Sequence, residues 1–389
     1  MQLFLLSSLS VSLCLSVSLS LSQLLWIARC DLVNGGGTGI ISAMSSCVPM
    51  EKNPQPGPEM MPFRDLPVRP RMKVPVWLPM KEGKKIKFVL NLVNGVYQLV
   101  QQEEEATNEL IRTFETRDDD VFVCTFCKSG TTWTQQIITL LLNQGEQGEK
   151  AYTEVVPWLE LLLFSPPGGV ATSTPPRFPG VRHALNWTLE KIKSTPGRRF
   201  MKSHANLKDL PVGTAKGLKV IYVARNPKDV SVSLYHHIRN KHPDHFDGDE
   251  SDMIRCFVQG RRVCINGSWF NHVLEWWEAA RVDPGHVLFL KYENMLQNPE
   301  ENIRKIADFV GIEYTSEIIA KIAAASTIDA MKKNPKANLR PGESHLRTGG
   351  VGKWRDVYTV RESDAFDEIY RKEMEGTGLE MDFGEGLIM

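Results

Sequence analysis

The chain has 389 residues, 42% of them hydrophobic and 24% charged, proportions of a soluble globular protein long enough for one large α/β domain or two small ones. Its 46 basic and 46 acidic side chains cancel, so no bulk field draws it to nucleic acid or anionic lipid, and any preference for anions must be local. Seven scattered cysteines, an odd number, suit a reducing compartment better than a disulfide framework.

Residues 1–28 carry no charged side chain and alternate Leu with Ser between Ser7 and Ser22. No basic residues precede this tract, unlike the usual secretory signal. It reads as a segment outside the folded domain, either a targeting element or a non-native start ahead of Met44 or Met50. A cytoplasmic location is expected, with a secretory or membrane-anchored form open through this segment. Residues 29–83 are broken by Pro54, Pro56, Pro58, Pro62, Pro67, Pro70, Pro75 and Pro79, and form an arm or linker.

A helical pattern is expected from 86 to 117. The domain is placed at 84–383, with a compact core over 118–383 and a tail at 384–389. Four short apolar runs read as strands: Val121–Thr125, Phe200–Ser203, Lys219–Ala224 and Val287–Lys291. Each is followed by polar residues and then a helical stretch. The alternation predicts an α/β fold, a single domain with a mainly parallel central sheet flanked by helices. Ligands of such folds gather at the carboxyl ends of the strands.

The first strand leads into Lys128, Ser129, Gly130, Thr131, Thr132 and Trp133, then into an apolar helix. Strand, glycine turn and helix start together make a P-loop-like cradle for a phosphate or sulfate. The first-turn N–H groups, the helix dipole and Lys128 all favour an anion there. The plainer alternative is an ordinary turn with a hydroxyl cap. Lys128 precedes the glycine, whereas a standard P-loop has Gly-Lys-Ser/Thr. Trp133 offers an aromatic face that would suit a nucleotide base.

The other strand ends carry Lys202-Ser203-His204, then Arg225-Asn226-Pro227 with Ser233 further on, then Tyr292-Glu293-Asn294. Taken singly, a Lys or His at a strand end is usually just solvated, and Arg225-Asn226-Pro227 could be only a helix entry. Their shared position suits transfer of a small charged group from a nucleotide to a hydroxyl. Lys128 would neutralise the bridging oxygen, and Lys202, on the face of His204, an equatorial one. His204 titrates near neutrality and would take the acceptor proton. Arg225 would grip a second phosphate, with Ser233 donating. No carboxylate pair is placed for magnesium, so no metal is expected.

These residues resemble the cytosolic sulfotransferase family, whose donor is PAPS, 3′-phosphoadenosine 5′-phosphosulfate. The Lys128-to-Trp133 loop looks like the family's 5′-phosphosulfate loop, and Lys202-Ser203-His204 is similar to its Lys-Thr-His strand end. Residues 225–233 look like its 3′-phosphate element, and Arg347-Thr348-Gly349-Gly350-Val351-Gly352-Lys353-Trp354 its C-terminal glycine-rich loop. The resemblance implies His204 as general base and Lys128 and Lys202 as cations on the transferring group. It implies Ser129, Gly130, Thr131 and Thr132 at the 5′-phosphate, and Arg225, Ser233 and Arg347 at the 3′-phosphate with Thr348 and Gly349 beside them. Trp133, Tyr292 and Ser326 would border the adenine. The expected partner is a small hydroxyl or amine acceptor, not nucleic acid.

Four positions depart from the pattern: Cys127 for Pro, Thr348 for Lys, Ile328 for an aromatic and Lys353 for Asp. They imply weaker donor binding, with a looser loop at Cys127. Residues 355–364 resemble the family's dimerisation stretch and imply a homodimer. Two other readings stay open: an ATP-dependent P-loop kinase, and a catalytically silent nucleotide-binding relative. His236, His237, His242 and His245 fit no metal-ligand spacing and read as a solvated or substrate-lining loop. Long loops at 164–169 and 237–268 read as acceptor gates.

Overall fold

The computed structural model describes residues 90–94, 96–99, 104–164, 187–213, 215–241, 246–259, 265–338 and 346–384. The Leu/Ser tract, the proline-rich arm, His242, His245 and most of the 164–169 loop lie outside them. So do parts of the 237–268 loop.

Six strands are described: β1 (Leu90–Val93), β2 (Val96–Leu99), β3 (Val121–Thr125), β4 (Phe200–Ser203), β5 (Lys219–Ala224) and β6 (Val287–Lys291). The last four have the bounds expected from sequence. They form one parallel sheet in the order β4-β3-β5-β6. β3 is buried along its whole length, as a parallel strand covered on both faces must be.

Alternate residues of the sheet feed two separate cores. Phe122, Cys124, Met201, Val220, Tyr222 and Ala224 belong to one core, shared with the Pro227–Lys241, Trp269–Val282 and Val360–Met374 helices. Val121, Val123, Phe200, Ile221, Val223 and Leu290 belong to the other, with the Thr131–Leu142, Pro299–Val310 and Ser316–Ala325 helices. The period of two in each strand produces this division. The fold is the expected α/β sheet with helices on both faces.

The helix expected from residue 86 is corrected. Residues 90–99 form an antiparallel hairpin in which Val93 pairs with Val96, and the helix begins only at Glu104. The reason is local: in sequence Asn-Gly at 94–95 is a strong two-residue hairpin signal between apolar runs, and Asn94 has φ +48°.

From β3 the chain passes to β4 on one side, then to β5 on the other. The crevice of such a sheet opens at the carboxyl ends where the order reverses. The loops after β3, β4 and β5 all begin there.

Candidate active site

The loop after β3 is built as an anion cradle. Lys128, with φ +70°, and Gly130, with φ +102°, turn the chain sharply into the Thr131–Leu142 helix. No side chain caps that helix and no acidic residue stands in its first turn. The ordinary hydroxyl-capped turn is therefore not what forms. Gly130 is required by contact as well as by φ, because a Cβ there would stand 2.7 Å from Tyr292 Cδ2. The buried Ser129 hydroxyl has no partner within the protein, an orphan that a bound anion would satisfy. Cys127 is buried, with its thiol near the Ile265 carbonyl at 3.8 Å. Burial pushes that thiol up to about 12 against the pull of Lys128 and Lys202, so it stays protonated.

His204 stands at the end of β4, half-buried, and its ring is fixed from β3. Nδ1 lies 2.9 Å from the Thr125 carbonyl oxygen. A carbonyl only accepts, so Nδ1 carries the proton and Nε2 keeps its lone pair. The Thr125 hydroxyl is 2.6 Å from that of Thr131 in the cradle, which joins the ring's anchor to the loop. Burial chiefly, then the charge of Lys202, hold the imidazole well below its ordinary value; Thr125 opposes the shift, and His272 and Lys128 add to it. The Lys202 ammonium lies over the Trp158 ring, 4.0 Å from its centroid, and the same ring meets His204 edge-on at 5.5 Å.

Three contacts hold the His204 backbone. Its N–H donates to Glu160 Oε1 at 2.5 Å, and its carbonyl accepts from Asn266 Nδ2 at 2.8 Å and His272 Nε2 at 3.1 Å. Glu160 also takes the Ser203 hydroxyl at 3.0 Å, and its other oxygen is buried without a partner in the protein. Burial raises the Glu160 carboxyl above its ordinary value, against the hydrogen bonds it accepts and the charge of Lys202.

Arg225, just past β5, gathers the other half of the site. Its guanidinium donates to the Lys128 carbonyl at 3.3 Å and the Gly350 carbonyl at 3.1 Å, and lies 4.4 Å from the Tyr292 ring centroid. Its Nε is buried without a partner. Arg347 is close enough that Arg225 depresses it, second to burial, while Asp229 and Asp356 act oppositely. Two cations held together in this way call for an anion between them. Trp133 meets Tyr292 edge-on at 5.4 Å, and Tyr292 is buried under the cradle.

The structure thus brings Lys128, Ser129, Gly130, Thr131, Thr132, Trp133, Lys202, His204, Arg225, Tyr292 and Arg347 to one end of the sheet. Gly349 joins them as the neighbour of Gly350, whose carbonyl takes Arg225, and packs near Ile328, whose Cβ lies 3.7 Å from where a Gly349 Cβ would stand. Ser326 is buried two residues from Ile328 and bonds back to the Ala323 carbonyl at 3.4 Å as the end of its helix. Ser233 is half-buried on the Pro227–Lys241 helix and Thr348 is exposed. Among the described residues no side-chain contact ties either to the cluster. Sequence reasoning missed Trp158, Glu160, Asp229, Asn266 and His272. Glu160 meets His204 across 44 positions, and no spacing rule spans that gap.

What the fold and the site define is an α/β protein with a P-loop-like loop and a neighbouring pair of arginines at the switch point of a parallel sheet. Over residues 118–378 the chain matches the sulfotransferase domain family. Sulfotransferase 1C2 of Homo sapiens is 34% identical over 311 residues, which cover 76% of this chain and 96% of that protein. Sulfotransferase 1A1 of Mus musculus is 36% identical over 282 residues, 69% of this chain and 89% of that protein. Among solved structures, mouse sulfotransferase SULT7A1 complexed with PAP has a TM-score of 0.58 at 27% identity, covering 74% of this chain and 94% of that one. Retinol dehydratase in complex with retinol and PAP has a TM-score of 0.61 at 23% identity over 74% of this chain and 89% of that one, a likeness of fold. The chain belongs to the sulfotransferase family and is an enzyme of that class. No helix among the described residues is long and apolar enough to cross a membrane.

Proposed function

We propose that the chain transfers a sulfuryl group in line from PAPS to a hydroxyl or amine of a small molecule, with His204 as general base. The observation that carries the reading is the His204 tautomer: Nδ1 is committed to the Thr125 carbonyl, leaving Nε2 as acceptor beside two lysines. The residues present fit the donor. The orphaned Ser129 hydroxyl and the uncapped helix start suit its 5′-phosphosulfate. The Arg225–Arg347 pair suits its 3′-phosphate. Bound there, PAPS supplies the sulfuryl group.

His204 Nε2 takes the acceptor's proton as the acceptor oxygen or nitrogen bonds to sulfur and the sulfur–oxygen bond to the leaving nucleotide breaks. Lys128 and Lys202 stabilise charge on the leaving and equatorial oxygens. Trp133 and Ser326 border the adenine with Tyr292 beneath, while Ser233, Thr348 and Gly349 complete the 3′-phosphate seat. The sulfotransferase domain is placed at 84–383 and the location in the cytoplasm. A homodimer through 355–364 is part of the same proposal, supported by the exposure of Val360 at 78%.

The test is sulfate transfer from labelled PAPS to a broad acceptor panel in the presence of a chelator, with products identified by mass spectrometry. Transfer is expected in wild type and lost in His204→Ala, with binding of 3′,5′-diphosphoadenosine (PAP) retained. Full activity in that variant removes His204 as the base.

A further inference from the structure

A hydroxyl and an imidazole stand where the interior is aromatic. Tyr222 lies within β5 and His272 in the Trp269–Val282 helix, and both are fully buried. Phe126 meets the imidazole edge-on at 5.5 Å, while Trp276 and Phe289 stack on the Tyr222 ring at 5.5 and 5.3 Å. Packing here asks for apolar groups, and a polar atom left unbonded would be destabilising.

Both polar groups are bonded, in one line. The Tyr222 hydroxyl is 2.8 Å from His272 Nδ1, and His272 Nε2 is 3.1 Å from the His204 carbonyl oxygen. Because that carbonyl only accepts, Nε2 carries the proton, and Nδ1 accepts from the Tyr222 hydroxyl. The line ends on the backbone of the residue whose ring faces the transfer site. His204 also follows the last residue of β4, so no strand ladder holds its carbonyl. Thr125 fixes the ring and Glu160 the N–H. The carbonyl is the remaining degree of freedom, and His272 and Asn266 hold it.

We propose that Tyr222 and His272 are positioning residues for His204: their hydrogen-bonded line fixes the His204 peptide so that Nδ1 stays on the Thr125 carbonyl and Nε2 stays aimed at the acceptor. The inference rests on the reading of His204 as the base. Without His272 the carbonyl is left on Asn266 alone, free to pivot about that one bond and carry the ring off line, and a displacement near 1 Å costs about a hundredfold in rate.

The experiment uses the full chain with His272→Leu, His272→Gln, Tyr222→Phe and His204→Ala, read by kcat, KM for PAPS and calorimetric PAP affinity. His272→Leu is expected to lower kcat about 10- to 100-fold, with KM and PAP affinity within about twofold of wild type. His272→Gln keeps an N–H directed at the carbonyl and recovers most of that loss. Tyr222→Phe, which cuts the outer bond and the Phe126 backbone bond to the same hydroxyl but leaves His272 on the carbonyl, loses less. The proposal is overturned if His272→Gln is no better than His272→Leu, or if PAP affinity falls in step with kcat. Should His272→Leu fail to fold, wild-type kcat in both His272→Gln, now lacking the ring, and Tyr222→Phe together with an inactive His204→Ala overturns the positioning role alone. An active His204→Ala overturns the base and, with it, this inference.

Discussion

The two carboxylate oxygens of Asp229 each hold one backbone N–H of the C-terminal glycine-rich loop, Gly352 at 2.8 Å and Trp354 at 2.9 Å. Asp229 lies in the first turn of the Pro227–Lys241 helix, directly beyond the Arg225 strand end. Its clamp sets where Gly350 meets Arg225 and where Arg347 arrives. Lys228 extends the junction, bonding Ser363 at 2.8 Å and Asp367 at 2.6 Å with its ammonium 4.1 Å from the Trp354 ring centroid.

Asp229→Asn should therefore weaken the donor through the loop. One acceptor oxygen becomes an N–H donor facing a backbone N–H, a mismatch worth about 1–3 kcal/mol when buried. We expect PAP affinity to fall about 5- to 150-fold, measured by titration calorimetry, with a lower Tm. Unchanged affinity would mean the loop organises the 3′-phosphate seat without this clamp.

The pH profile tests the tautomer of His204. Burial first and Lys202 second depress its pKa well below the ordinary 6.5, so the neutral, proton-accepting form persists to more acid pH. We expect kcat/KM to stay flat between pH 8 and 6.5 and to fall only below that range. Lys202→Gln removes the second cause and should move the acid limb upward while lowering the overall rate. A wild-type limb centred at 6.5 would contradict the buried geometry.

The parallel strands were legible because β3 and β5 are near-continuous apolar runs with turn residues after them, and burial on both faces writes that pattern directly. The cradle was legible for a related reason: Lys128 through Trp133 are contiguous, so the chain itself delivers them together. The hairpin at 90–99 was misread as helix, although Asn94-Gly95 carried the signal. Glu160, Asn266 and His272 were not legible. They reach His204 from distant segments through side chains aimed by tertiary packing, and a buried His in a helix looks like any core residue until the His204 carbonyl is seen against it.

Glu293 gives the stability profile a predictable slope. It is fully buried, accepts the Asn226 N–H at 2.8 Å, and leaves its second oxygen unpartnered. Burial pushes its carboxyl from 4.5 up to about 7, only partly opposed by the Asn226 bond and Arg225. A raised carboxyl pKa means the folded state holds a proton that the unfolded chain releases. Its contribution is whole below about pH 4.5 and is lost as pH rises through about 7. The loss is at most roughly 3 kcal/mol by pH 8. Glu293→Gln keeps the acceptor for Asn226 and cannot ionise, so its urea midpoint should fall less than that of wild type between pH 5 and pH 8. Parallel curves would place the slope elsewhere.

Arg225 and Arg347 pose the last test, because they oppose each other until a ligand arrives. Burial and then the Arg225 charge hold Arg347 below its ordinary pKa, and the Arg225 Nε is buried without a partner. Arg347→Gln removes one of two like charges from the free protein, and its Tm without ligand should hold or rise slightly. On the proposed reading the same change deletes a charge-assisted bond to the 3′-phosphate, worth about 1.5–3 kcal/mol, so PAP affinity should drop about 10- to 100-fold. Saturating PAP then raises Tm less in the variant than in wild type at equal ligand concentration, since that shift follows the ratio of ligand to Kd. The opposite pattern, a destabilised free protein that binds PAP as before, would make Arg347 a structural cation and leave Arg225 to hold the phosphate without it.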